Sequence, residues 1–458
     1  MNTQSIDCLI AEIGSTTTIV TAIDNIEGNN PHIIAQGQAL TTVADGDVTI
    51  GLHNAIAQIE CALNCKLIYR EMLAASSAAG GLRMTVHGLV YDMTVKAAKE
   101  AVLGAGANIQ LITAGDISER ELLCIVKIQP NIMFLAGGVD YGEQEITLRN
   151  AEKLARLPLI VPTIYAGNCA LIDDVKDMFA ANNKELICVE NVYPRIDALN
   201  VDAARLAIQA VFEKHIIHAP GMNSIRDMVT GNILPVPGAV MNAAKLLRVA
   251  IGDLLVIDIG GATTDVHSVT DGDSEISSLL INPEPTAKRT VEGDLGMFIN
   301  AANVINLLNP ENIFGGRYNI DELIGLVVAV PQTAEQLELA ECMADIAART
   351  ALVRHSGSLE YIYGVSGRKQ IARGKDLTAV KWIVGTGGAL TKLDCGQHIL
   401  QKLNTHQHDI RLLPRSATVL IDHDYVMASA GVLAYRYPKA ALALLKSSLR
   451  ISLVEVDH

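Results

Sequence analysis

Aromatic side chains are scarce in this sequence: 4% of 458 residues, with a single tryptophan. Its core must therefore be aliphatic, a composition that suits parallel sheets covered by helices. Excess positive charge is missing too. The formal net charge is −14 at pH 7, which argues against an extended nucleic-acid footprint. No apolar run approaches the ~18 residues of a membrane helix. Met1–Ala11 lacks the basic and long apolar regions of a signal peptide. These signs lead us to expect a cytoplasmic protein with no membrane anchor. None of the eight cysteines forms a C-x-x-C pair, so free, reduced core thiols are expected. The alternative, a metal or cluster site, would draw on Cys61 and Cys65, one helical turn apart. His215 and His218 are three apart, but no third ligand is implied.

Half of the residues are hydrophobic and 19% are charged, so a large core is affordable to a chain of two to four domains. Strand-like runs alternate with helical periods through most of its length, the α/β signature. Cys8–Ile13 and Thr18–Asp24 read as strands around a polar turn, Ile33–Ala39 as a third, Gly51–Lys66 as a helix and Met72–Ser76 as a short buried strand. From about Val86 to Ala219 the alternation suggests an open parallel sheet in its own right, with strands at Ile109–Thr113, Ile132–Ala136, Leu159–Tyr165 and Leu186–Glu190. Helices are expected at Glu143–Leu154 and Ala170–Ala180. A turn-rich connection follows, through Pro220-Gly221 and Pro235-Val236-Pro237-Gly238. Beyond it come strands Leu254–Ile259 and Thr264–Val269, helices Leu295–Leu307 and about Ala334–His355, a strand Lys381–Val384, and helices within Asp424–Leu449. The domains expected are 1–85, 86–219 and 220–458.

One motif occurs twice. Glu12-Ile13-Gly14-Ser15-Thr16-Thr17-Thr18 and Asp258-Ile259-Gly260-Gly261-Ala262-Thr263-Thr264-Asp265 share a plan: strand, acid, apolar residue, glycine, small residues, strand. Glycine lets backbone approach an oxyanion, and successive N–H groups in such a turn form an anion nest. The acids Glu12 and Asp258 can hold Mg²⁺ through water, a cation that keeps several of its own waters. One such turn is common. Two, in different parts of the chain, suggest facing hairpins that grip the phosphates of ATP from both sides. The expected phosphate contacts are Gly14, Ser15, Thr16, Thr17, Gly260, Gly261, Ala262, Thr263 and Thr264. A third glycine turn, Gly385-Thr386-Gly387-Gly388, follows a strand and suits the adenosine. Gly293-Asp294-Leu295-Gly296 reads as a helix start, with Asp294 able to cap it. Lys288 and Glu292 are neighbouring candidates for ribose or base contacts.

This plan resembles the actin/Hsp70/sugar-kinase-like ATPase fold, with duplicated RNase H-like halves and here an additional α/β domain. The longer strings are similar to the glutamate mutase accessory protein family, MutL or GlmL: Val256–His267, Lys288–Gly296, Ala75–Met84, Leu135–Gly138 and Val426–Ala428. The match runs essentially end to end. The resemblance implies an ATP-binding accessory or reactivating chaperone of an adenosylcobalamin-dependent aminomutase, of glutamate mutase or ornithine aminomutase type. Its cofactors would be ATP and Mg²⁺, with no tightly bound cobalamin; its partners would be the mutase subunits, with homo-oligomerisation compatible. The family is unrelated to the mismatch repair protein sharing its short name, whose ATPase uses a D-x-G-x-G motif that is absent here. One departure stands out. The family's first hairpin usually starts with Asp, and Glu12 places its carboxylate about 1.5 Å further along. Turnover is therefore expected to depend more on Asp258. Rival readings are a small-molecule kinase or ATP-dependent hydrolase of the same fold, and an iron–sulfur ATPase activator.

Overall fold

The computed structural model describes residues 2–42, 46–77, 82–105, 107–216, 222–308, 314–364, 367–404 and 410–451. Residues 78–81 of the string Ala75–Met84, the Pro220-Gly221 turn and His218 lie outside these. The chain opens with an antiparallel meander: β1 (Asn2–Ile13), β2 (Thr17–Asp24) and β3 (His32–Leu40). A helix, Val48–Leu63, returns it to β4 (Cys65–Ser76), which runs parallel to β1. The helix ends earlier than its apolar spacing suggested. Asn64 takes the left-handed conformation (φ 52°) that terminates helices, and Cys65 already pairs with Asn2. The ends of the two elements place the cysteines differently: Cys61 is exposed on the helix and Cys65 is buried in the strand. All eight cysteines are free, but Cys124 is exposed as well, so not all are core thiols.

A middle sheet follows, all parallel: β5 (Arg83–Gly88), β6 (Asn108–Ala114), β7 (Ile132–Leu135), β8 (Thr163–Tyr165) and β9 (Leu186–Cys188). Its order is β6-β5-β7-β8-β9, the doubly wound 2-1-3-4-5 arrangement. Four of the five strands follow the sequence reading. β8 starts late because Pro162 has no N–H for the ladder. β5 escaped that reading because polar residues lie inside it. His87 is fully buried, bridging the hydroxyls of Thr85 and Thr113 at 2.9 Å each.

The chain then returns to the first sheet. β10 (Ile233–Pro235) pairs in parallel with β4, and the helix Val236–Ile251 follows at once. Pro235-Val236-Pro237-Gly238 is therefore a strand end and helix start rather than a turn. Pro237 sits in the first helical turn, where a missing N–H is tolerated. The last sheet repeats the first: β11 (Leu254–Ile259), β12 (Thr264–Val269) and β13 (Ala287–Glu292) form a meander. The ribbon β14 (Ser358–Gly364) and β15 (Gly367–Arg373) stands apart. β16 (Trp382–Thr386) and β17 (Thr418–Ile421) complete the sheet in parallel. The two orders, β3-β2-β1-β4-β10 and β13-β12-β11-β16-β17, are one topology used twice. That duplication defines the actin/Hsp70/sugar-kinase-like fold, and the middle sheet is its additional α/β element.

The halves share an aliphatic core. Ile10 and Leu73 of the first sheet and Val256 and Val384 of the last pack with Val240, Ala244 and Leu247 of the helix Val236–Ile251. That helix follows β10, as Met427–Leu433 follows β17, and the two cross where a Cβ on Gly431 would lie 1.8 Å from the Ala239 carbonyl oxygen. No helix among the described residues is long and apolar enough to cross a membrane.

Candidate functional site

Both hairpins close the same way. Gly14 N–H donates to the Thr17 carbonyl at 3.0 Å, and Gly260 N–H to that of Thr263 at 2.9 Å. The ladders match in register: Glu12 lies opposite Ile19, and Asp258 opposite Asp265. Glu12 and Asp258 thus hold equivalent places at the ends of β1 and β11. The hairpin tips meet: a Cβ on Gly261 would lie 2.7 Å from Thr16 Oγ1, a buried hydroxyl with no hydrogen-bond partner. Between the tips is a cavity of about 270 Å³. Glu12, Gly14, Ser15, Thr16 and Thr17 line it from one side; Asp258, Gly260, Gly261, Ala262, Thr263 and Gly293 line it from the other.

A second cavity, about 340 Å³, adjoins it. Thr16, Thr17, Gly260, Gly261 and Tyr425 line both. Its remaining wall is largely apolar, including Met297, Phe298, Val328, Met343 and Leu393, with Gly388 and Lys392 from the third glycine turn and its helix. Gly387 fits between the two motifs. It has a φ of 83°, and a Cβ there would lie 2.5 Å from Asp258 Oδ1.

Other sequence candidates lie elsewhere. Thr264 is buried behind the hairpin, its hydroxyl donating to the Leu295 carbonyl at 2.7 Å. Lys288 belongs to a buried ion-pair group with Glu284 (2.8 Å) and Glu100 (3.4 Å), away from the hairpins. Glu292 and Asp294 both accept from Arg354, at 2.7 Å. Asp294 caps no helix: Gly293–Asp294 is a turn, and the helix begins only at Ala301. Asn300 holds that turn by donating to the carbonyls of Gly293 and Ala262. Gly385 is packed against Leu400 and Ile421, and Thr386 donates to Asp422 at 2.9 Å.

The acids are electrostatically strained. Burial, then the charge of Asp258, pushes Glu12 up to about 8. Burial, then Asp265, pushes Asp258 up to about 7, with Arg289 pulling the other way. A divalent cation would relieve both. Sequence reasoning did not single out Tyr425, Asp265, Arg289 or Asn108, all of which line the first cavity. A signal existed for two of them: Asp265 closes the second motif string, and Arg289 adjoins Lys288 on the opposite face of β13.

A sequence model of the MutL protein family matches residues 8–449. The chain belongs to the MutL family. "Protein MutL" of Clostridium tetanomorphum is 36% identical over 461 residues, covering 96% of this chain and 98% of that one. The family resemblance carried by Val256–His267 and Lys288–Gly296 is borne out. Among solved structures, nucleotide-free acetone carboxylase aligns over 94% of this MutL chain and 70% of its own, at 11% identity and a TM-score of 0.39. A glycerol dehydratase reactivase aligns over 93% and 99%, at 11% identity and a TM-score of 0.33.

Proposed function

We propose that this MutL-family chain binds Mg-ATP between its two halves and uses the nucleotide cycle to remodel an adenosylcobalamin-dependent aminomutase, as a reactivating accessory protein. The observation that carries the reading is the pair of equivalent hairpins facing each other across one cavity. The triphosphate would occupy the polar cavity, held by the turns at Gly14–Thr17 and Gly260–Thr263. The nucleoside would lie in the adjoining apolar cavity, against Gly388. Both walls suit such a ligand: Thr16 Oγ1 is buried without a partner, and two buried carboxyls are held above their ordinary range. Glu12 and Asp258 would hold Mg²⁺ through its waters, and the ion would supply charge neutralisation at the phosphates.

Closure of the halves about the crossing of Gly431 and Ala239 would follow from tighter nucleotide binding to the closed state. One nucleotide state would grip the mutase and the other release it, opening its cobalamin site. The same reading makes the protein cytoplasmic, with the mutase subunits as partners.

Two measurements test it. Calorimetry with Mg-ATP should show saturable binding; absence of heat at millimolar nucleotide defeats the reading at its root. With Mg-ATP and fresh adenosylcobalamin, the protein should restore activity to inactivated mutase, and Asp258→Asn should not. Full restoration without ATP would remove the driven cycle and leave nucleotide binding alone.

A further inference from the structure

Arg289 is the largest fully buried side chain among the described residues, 1% exposed. Removing a guanidinium from water is costly unless its donors are matched. Nη2 donates to Asp265 Oδ1 at 2.9 Å, which ties it to the second phosphate hairpin. Nη1 donates to the Leu103 carbonyl at 3.1 Å. Leu103 lies in the last turn of the helix Lys96–Gly104, which joins β5 to β6 in the middle sheet. Carbonyls in a last turn lack the regular partners of the helix interior and sit at the negative end of the helix dipole. Nε is buried with no partner.

The same arginine lines the cavity between the hairpins, where three carboxylates, Glu12, Asp258 and Asp265, also lie. Arg289 is the one cationic side chain on that wall among the described residues. Asn108, the first residue of β6, lines the cavity as well. The middle sheet therefore reaches the cavity twice within a few residues: through Asn108 itself, and through Leu103 by way of Arg289.

We propose that Arg289 is a positioning residue that senses phosphate in this cavity and passes its state to the middle sheet through Leu103 and Asn108. The proposal rests on the nucleotide reading above. Phosphate oxygens entering the cavity compete with Asp265 and the Leu103 carbonyl for the guanidinium. Drawing it toward phosphate weakens the hold on Leu103, so the end of the helix and the start of β6 loosen together. A surface far from the nucleotide thereby acquires two states biased by one side chain, which is what coupling between sites requires.

The test combines calorimetry with amide hydrogen exchange on the full-length protein. In the wild type, saturation with Mg-ATP should accelerate exchange at the amides of Leu103, Ala107 and Asn108. Arg289→Met should bind Mg-ATP about tenfold or more weakly, having lost a charge-assisted contact. Arg289→Lys is the discriminating variant. Its ammonium keeps the charge and should keep most of the affinity, but it cannot hold Asp265 and the Leu103 carbonyl as a planar fork does. Binding should persist in this variant while the exchange response disappears; a merely structural role would not separate the two. Unchanged exchange at Leu103, Ala107 and Asn108 in wild-type protein that saturates with Mg-ATP overturns the proposal and needs no variant to fold. A full exchange response in Arg289→Lys overturns it equally. Absence of Mg-ATP binding by the wild type is a different result, and brings down the nucleotide reading with it.

Discussion

The hydroxyl of Tyr425 donates to Oε1 of Glu12 at 3.3 Å, across 413 residues of chain. The bond joins the end of β1 to the turn after β17, so each half contributes to the environment of the first acid. Tyr425 holds a left-handed φ of 52°, uncommon for a bulky residue. Asp422 stabilises that turn: its carbonyl accepts from Tyr425 N–H, and its carboxylate accepts from the N–H groups of Val426 and Met427. Tyr425→Phe removes one donor from Glu12 and little else. The lost bond should push the Glu12 carboxyl further up, because the hydroxyl now favours its ionised form. The pH profile of ATP hydrolysis should then move to higher pH; an unmoved profile would show that Tyr425 does not act through Glu12.

Asp258 should matter more to turnover than Glu12. Asp258 shares its hairpin with Asp265, which is paired to Arg289, whereas Glu12 faces the apolar Ile19. Asp258→Asn should lower kcat for ATP by about a hundredfold or more with the fold intact, and Glu12→Gln by less. Steady-state hydrolysis of the two variants decides; a reversed ranking makes Glu12 the principal acid.

Gly387→Ala tests the joint between the third glycine turn and the second hairpin. With a φ of 83° and Asp258 Oδ1 in the way, alanine must strain the backbone and displace the acid. A stability loss of about 1 kcal/mol or more is expected, together with weaker Mg-ATP binding. Gly388→Ala, where a Cβ meets nothing within 4 Å, should change stability by no more than about 0.5 kcal/mol. Urea denaturation of the pair makes the comparison.

At the crossing of the two connecting helices, Gly431→Ala places a methyl 1.8 Å from the Ala239 carbonyl oxygen. Rigid overpacking of this kind costs about 1–3 kcal/mol. A denaturation midpoint equal to wild type would mean that the crossing yields without cost.

Stability should depend on pH through buried groups of opposite sign. Glu12 and Asp258 sit at about 8 and about 7 in the folded protein, against 4.5 and 3.8 ordinarily. The folded state keeps protons that the unfolded chain has lost, so their contribution is full at acid pH and is lost as pH rises through 7–8. Burial lowers His87 to about 3 and holds His267 and His355 well below 6.5. Their contribution is full above that value and is lost as pH falls below it. Denaturation of the nucleotide-free protein at several pH values should show both limbs, and Glu12→Gln should flatten only the alkaline one.

Local chemistry in the chain determined much of this protein by itself. The two acid-glycine hairpins, the strands flanking them and the α/β alternation of the middle sheet are written in short-range patterns of apolar, glycine and hydroxyl residues. Glu12, Asp258 and the turns at Gly14–Thr17 and Gly260–Thr263 were legible as paired hairpins because the acid, the glycine and the small residues of each stand next to one another in the chain. Tertiary structure alone decided which other groups join them. Tyr425 reaches Glu12 only because the turn after β17 packs against the end of β1, and Arg289 rather than Lys288 enters the cavity because neighbouring strand residues point to opposite faces. The glycine turn at Gly293 became a loop pinned by Asn300 and Arg354, not a capped helix. Such contacts bring together residues far apart in the chain, and no local pattern encodes which partner a buried charge will find.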